Sequence, residues 1–240
     1  MMIRTKYKKS GMMKYLSHLD LIRLFERAFR RAKIPMAYTQ GFNPHPKVAF
    51  ASPLSIGVSS QAEYFDLVLT EEIDPADFLS SLNQTLPQGI EILKVQYYEE
   101  NKKTSLMKES ALIEYQIKGE LKSLNSKAEL QEKTHSFMNQ DSIIVEKKMK
   151  KNKYKKRNRE KTKAVDIRPL ISSFTVDTVQ DHTFTLNLWI QNLDSGTVKP
   201  ISVCRQWISH AQLEVDLEDL EIHRLEVYRV NERGHYEAIL

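Results

Sequence analysis

The order β-α-β-β-α-β, met twice along the 240 residues, predicts an α+β fold of two tandem ferredoxin-like domains. Three observations carry this reading: one alternating segment opens each half, each half holds two amphipathic helical stretches, and a polar stretch at 99–109 separates the halves. The boundaries follow as 1–100 and 110–240, the second domain carrying a lysine-rich insert at 147–163. The repeated order points to a tandem or duplicated architecture, although almost no residue identity links the halves.

In the first half, Met2–Lys8 alternates as a strand and Ser10-Gly11 turns the chain. Ser17 with Asp20 three residues on makes a capping-box-like start. Leu21, Phe25, Ala28 and Ala32 then recur at helical spacing until Pro35. Val48–Ser52 and Glu63–Thr70 read as strands, Asp74-Pro75 opens a second helix reaching Leu86, and Ile90–Tyr98 returns as a strand. In the second half come a strand at Ala111–Glu120, a helix over 126–139 and a strand from Ile143. A hairpin of Leu170–Val179 with Thr183–Leu193, a helix over 198–213 and a strand Leu220–Val230 complete it. Trp189 and Trp207 fall at core spacing.

The formal charge of +5 conceals its distribution. Residues 1–50 hold eleven Lys/Arg against two acids, and residues 147–163 hold eleven against Glu160 alone. These zones carry +9 and +10, which leaves −14 for the remainder. Segregation of this kind offers concentrated basic surfaces, and the commonest partner for them is a nucleic-acid backbone. Cys204 is the single cysteine, which excludes a disulfide within the chain and any cysteine-held zinc or iron–sulfur site built from this chain alone. Neither a cofactor nor a metal site is expected of it. No run approaches about 18 consecutive apolar residues and no charged-then-apolar leader opens the sequence, so a cytoplasmic protein without a membrane partner is expected.

The polar face of the first helix carries Arg23, Arg27, Arg30 and Arg31, whose planar guanidinium forks suit phosphate. The loop that follows sets Tyr38, Gln40, Asn43, His45 and Lys47 among Gly41, Pro44 and Pro46, a stiff backbone presenting amide, imidazole and ammonium groups. In the insert, Tyr154 and Arg157 interleave an aromatic ring and a guanidinium with lysines, as on surfaces that bind single strands. Asp166 and Arg168 stand two apart, on one face if the segment is a strand. All these residues are candidate nucleic-acid contacts. A solvated helix face, a solubilising insert and a structural salt bridge are the plain alternatives. His18 and His45 are the candidates in the N-terminal region for metal-free acid–base work on RNA. Asp20, Glu63 and Asp66 are better placed to cap a helix and line a sheet than to hold a divalent ion.

Tyr15-Leu-Ser-His-Leu-Asp20, the Arg-Ala-x-Arg-Arg-Ala block at 27–32, Gln40-Gly-Phe-Asn-Pro-His-Pro-Lys47, Pro53-Leu54, Gly57 and Asp166-Ile-Arg-Pro169 together resemble the radical SAM-associated family of bacterial proteins. Its members occur beside a radical SAM protein or as that protein's C-terminal extension. The resemblance implies a radical SAM partner, because the cluster of such an enzyme needs three cysteines and this chain has one. The expected role is a non-catalytic RNA-binding or substrate-presenting subunit. A metal-independent endoribonuclease and a pure protein-interaction module are the alternatives.

Overall fold

The computed structural model describes residues 1–98, 105–123, 126–148, 162–193 and 196–240. The architecture is α+β, with a mostly antiparallel arrangement of strands and five α-helices among the described residues. The first unit contains β1 (Met2–Lys9), α1 (His18–Arg31), β2 (Val48–Phe50), β3 (Ser59–Val68), α2 (Pro75–Asn83), β4 (Ile90–Tyr98) and the short α3 (Leu106–Glu109). The chain then runs through β5 (Leu112–Glu120), α4 (Lys127–Met138), β6 (Ile144–Lys148), β7 (Thr162–Asp166), β8 (Ile171–Gln180), β9 (Thr183–Gln191) and α5 (Pro200–Ala211). It closes with β10 (Glu221–Val230) and β11 (Tyr236–Ala238). One compact unit comprises 1–114 with 222–240, the other 115–221.

In the first unit β1 lies between β4 and β3, antiparallel to both. The far edge of β3 is shared: β2 pairs antiparallel along 65–67, and β10 pairs parallel at 59–60. Helix α1 forms as expected. The Ser17 hydroxyl accepts from the Asp20 amide at 3.2 Å, and Leu21, Phe25, Ala28 and Phe29 are buried. It ends through Lys33, held at φ +54 while Ile34 N donates to Phe29 O, with Pro35 next. Phe25 meets Tyr7, Phe29, Phe50 and Phe65 at ring-centroid distances of 4.9–5.8 Å, and this aromatic group is the centre of the core.

The opposite face of this sheet is charged, and every cation of β1 there has an acid. Arg4 is 1% exposed and forks twice: Nε and Nη2 donate to the two oxygens of Asp66 at 2.8 Å, while Nη1 reaches Glu109 at 2.7 Å. Its guanidinium lies 3.9 Å from the centroid of the Tyr98 ring. Lys6 pairs with Glu226, and Lys8 with Glu91. The expected junction at 99–109 therefore contains structure: 99–104 lie outside the described residues, but α3 buries Leu106 and brings Glu109 to Arg4.

The second unit places β9 between β5 and β8. Phe174, Phe184 and Trp207 pack edge-on at 5.6 Å, and the indole N–H donates to Thr134 Oγ1 at 3.0 Å. Gly119 is required inside β5, because a Cβ there would lie 2.6 Å from Phe184 and Leu220. Cys204 is buried in α5, which pushes its thiol up to about 12 and leaves it protonated and inert. The two ends of the lysine-rich run pair as β6 and β7, with Ile144 opposite Asp166. Residues 149–161, and with them Tyr154 and Arg157, lie outside the described residues.

Two outcomes are expected. Arg4→Met strands two carboxylates beneath Tyr98 and lowers stability in urea by about 3–5 kcal/mol, and Arg4→Lys recovers little because an ammonium cannot fork. Burial, reinforced by donation to Glu226, holds the Tyr64 hydroxyl well above its usual ionisation range. The unfolded chain then loses that proton first, so stability present below about pH 10 falls as the pH rises. Tyr64→Phe removes about 1.4 kcal/mol per pH unit of that alkaline slope, read from urea midpoints at pH 9 and 11.

Candidate nucleic-acid interface

Residues 37–47 form a finger that grows from the edge of β3. At its base Ala37 N donates to Val68 O at 2.8 Å, and Val68 N to Lys47 O at 3.0 Å. Lys47 N then reaches Ala37 O, Tyr38 bridges Pro46, and Thr39 N donates to His45 O at 2.8 Å. The Thr39 hydroxyl returns the bond by accepting from His45 N at 3.0 Å. Gln40, Gly41, Phe42, Asn43 and Pro44 make the exposed tip. Gly41 turns it at φ +122, a conformation that strains any residue with a Cβ.

The finger lies against α1. His45 Nδ1 stands 3.8 Å from Glu26 Oε1, so the only acid after Asp20 on the helix meets the finger's imidazole. At about 100° per residue, Arg23 and Arg30 lie within roughly 60° of Glu26 around the helix, and Arg27 at roughly 100°. The structure therefore brings the finger and three of the four helix arginines to one side of the first unit. Arg31 lies further round and donates to Thr85 O at 2.7 Å, fastening α1 to the end of α2.

Apart from Lys14, whose ammonium lies 5.2 Å from the Tyr15 ring centroid, the cations of residues 1–50 fall into two groups. Arg4, Lys6 and Lys8 are neutralised by acids. Lys9, 2% exposed, donates to Leu16 O at 2.9 Å, and burial lowers its pKa although Glu63 opposes this. Arg23 has only a long contact with Asp20, 3.4 Å, with both side chains more than half exposed, a pairing of little worth. Arg27, Arg30, Lys33 and Lys47 are exposed, and their side chains make no hydrogen bond or ion pair among the described residues. The net basic character of the segment is thus concentrated on α1 and the base of the finger.

Tyr38, Gln40, Asn43 and His45 are all exposed on the finger. His18 is half-buried with its ring edge-on to Phe50 at 5.8 Å, lining a cavity of about 10 Å³ with Lys9, Glu63 and Tyr64, room for about one water. Glu63 joins Arg224 at 2.8 Å, and Asp66 joins Arg4. In the second unit Asp166 accepts from Ile143 N and Arg168 N, while Arg168 donates to Met138 O and Ile171 O. Both side chains hold local backbone. Among the described residues, no group of three or more His, Cys, Asp or Glu stands close enough to hold a metal ion.

Two features escape a reading by residue type. Phe42 is fully exposed at the finger tip; the available signal was an aromatic in a polar loop with no periodic partner. Met12, Tyr15, Leu19 and Ile56 are more than half exposed, and Gly57 N donating to Lys14 O at 2.9 Å draws their segments together.

The fold is similar to that of one chain in the crystal structure of a Cbf5-Nop10-Gar1 complex, with a TM-score of 0.50 and 8% sequence identity. The match covers 94% of this chain and 48% of the other, so this chain spans about half of that neighbour's length. At that identity the likeness concerns fold alone. An unknown protein from Galdieria sulphuraria matches at 10% identity, over 93% of this chain and 96% of its own, with a TM-score of 0.23, too low to carry an argument. No curated protein matches the sequence. A family model described as "Uncharacterized protein conserved in bacteria (DUF2344)" matches residues 2–200.

Removing the Thr39 hydroxyl without changing its shape, as Thr39→Val, is expected to speed hydrogen exchange at the His45 amide by about fivefold, the equivalent of one ordinary hydrogen bond. Exchange in β1 stays unchanged.

Proposed function

The chain belongs to this family of uncharacterized bacterial proteins, and we propose that within it the protein is a non-catalytic RNA-binding subunit that presents structured RNA or a ribonucleoprotein to a radical SAM enzyme. One observation carries the reading: acids of the first unit pair with Arg4, Lys6 and Lys8 of β1, while the side chains of Arg27, Arg30 and Lys47 stand exposed without an ion pair among the described residues, beside a finger that exposes polar and aromatic groups. In this role Arg23, Arg27, Arg30 and Lys47 hold phosphates, Arg31 fastens α1 to Thr85, and Tyr38, Gln40, Asn43 and His45 meet a base or ribose. Asp166 and Arg168 belong to the scaffold.

The radical SAM partner rests on the motif resemblance at 15–20, 27–32, 40–47 and 166–169, and on a single buried cysteine that cannot hold a cluster. The exposed apolar group of Met12, Tyr15, Leu19 and Ile56 supports a protein partner at the start of α1. A cytoplasmic location fits such a partnership, and among the described residues no helix is long and apolar enough to cross a membrane. We read the architecture as tandem ferredoxin-like units. The strand sequence β4-β1-β3-β2 in the first supports this, as does the succession of β5, α4, β8, β9 and α5 in the second, with the β6–β7 hairpin inserted.

Filter binding of labelled RNA across a salt series tests the reading. Affinity is expected to fall linearly with salt on logarithmic axes, and Arg27→Ala with Arg30→Ala is expected to reduce the slope by roughly 1.4, for all sequences alike. Absence of RNA binding at low salt contradicts the reading. Cleavage of RNA by the wild type and not by His45→Ala replaces it with an endoribonuclease.

A further inference from the structure

Phe42 is the most exposed large apolar side chain among the described residues, its accessibility equal to that of a residue free in a peptide. A flexible loop could leave a phenylalanine in water without consequence. Here the backbone beneath it is held by reciprocal bonds between Thr39 and His45, by the Tyr38–Pro46 bridge, and by two bonds from the finger base to Val68. A fully solvated ring on a bonded stem gains nothing for the fold, because it removes no apolar surface from water. The ring stands at the end of a finger whose flank is docked through His45 to Glu26, on the side of α1 that carries Arg23 and Arg30.

An exposed aromatic ring on a finger that lies against a helix bearing exposed arginines suits a nucleotide strand: charge holds the backbone and the ring stacks on a base. Stacking of this kind needs a base whose face is free. In a duplex both faces of every internal base are covered by neighbours, and the bases of an RNA helix lie behind a deep, narrow groove. On the strength of the RNA-binding reading above, we infer that the finger selects unpaired RNA, with Phe42 stacking on a single exposed base. Selection comes from the accessibility of a base face and not from its hydrogen-bonding edge, so it is tolerant of sequence.

The test measures three probes against the full chain at one salt concentration: a single-stranded oligouridine, a blunt RNA duplex of equal nucleotide length, and inorganic polyphosphate. The wild type is expected to bind the single strand most tightly. Phe42→Ala, at a site where no packing is lost, is expected to weaken the single strand by roughly 5- to 100-fold while leaving polyphosphate unchanged. Phe42→Trp is expected to retain the wild-type affinity, and the added indole fluorescence is quenched by the single strand alone. Equal binding of single strand and duplex, or an unchanged single-strand affinity in Phe42→Ala, overturns the inference while leaving phosphate binding by α1 intact. No retention of either RNA overturns both. Loss of a co-purifying protein in Phe42→Ala, with RNA affinity unaltered, assigns the finger to a protein contact and overturns the inference as well.

Discussion

A buried cation must find a partner, and β1 carries Arg4, Lys6 and Lys9 into the interior of the first unit. Arg4 alone takes two carboxylates from positions 62 and 105 residues away and a tyrosine ring across its face. Desolvating that guanidinium would be prohibitive without them. The demand recruits Asp66, Glu109 and Glu226 to β1 and so withdraws them from the surface, while Glu91 meets Lys8 in the open. Among the described residues of 1–50, what remains uncompensated is concentrated on α1 and the base of the finger. The same pairing that stabilises the sheet decides which cations of the segment stay exposed.

The finger depends on the sheet in a different way. β3 has β1 along one edge, and its other edge is divided between β2 at 65–67 and β10 at 59–60. Beyond β2, the exposed backbone of Val68 still has a donor and an acceptor to satisfy, and Ala37 and Lys47 supply them. The two ends of the loop are thereby pinned about one residue of strand apart, which closes 37–47 into a hairpin-like projection. Its lean toward α1 follows from the connection itself, since the loop leaves the helix at Pro35 and carries His45 back to Glu26.

Much of this was legible in the residues. Ser17, the apolar spacing and Pro35 delimit α1 to within a few positions, because local forces decide a helix end. Strands β1 and β4 follow from their alternation, and the loop at 40–47 announces itself by composition. The partners of the β1 cations do not: Arg4 and Glu109 are chemically ordinary, and only the fold brings them to 2.7 Å. A count of charge over residues 1–50 therefore treats Arg4 and Arg30 alike, although one is buried between acids and the other faces water. Asp166 and Arg168 show the same limit: their spacing suggests a shared face, and only the fold reveals that each side chain bonds backbone. Phe42 went unmarked because periodicity identifies residues that pack, and this one packs against nothing.

The division of the arginines into internal and external sets can be observed directly by nuclear magnetic resonance, following the side-chain Nε–H signals while a single-stranded RNA is added at low salt. The account predicts that the signals of Arg27 and Arg30 shift progressively while those of Arg4 and Arg224 hold their positions throughout. A titration in which Arg4 and Arg224 move and the α1 arginines do not, or in which none of them responds, contradicts it.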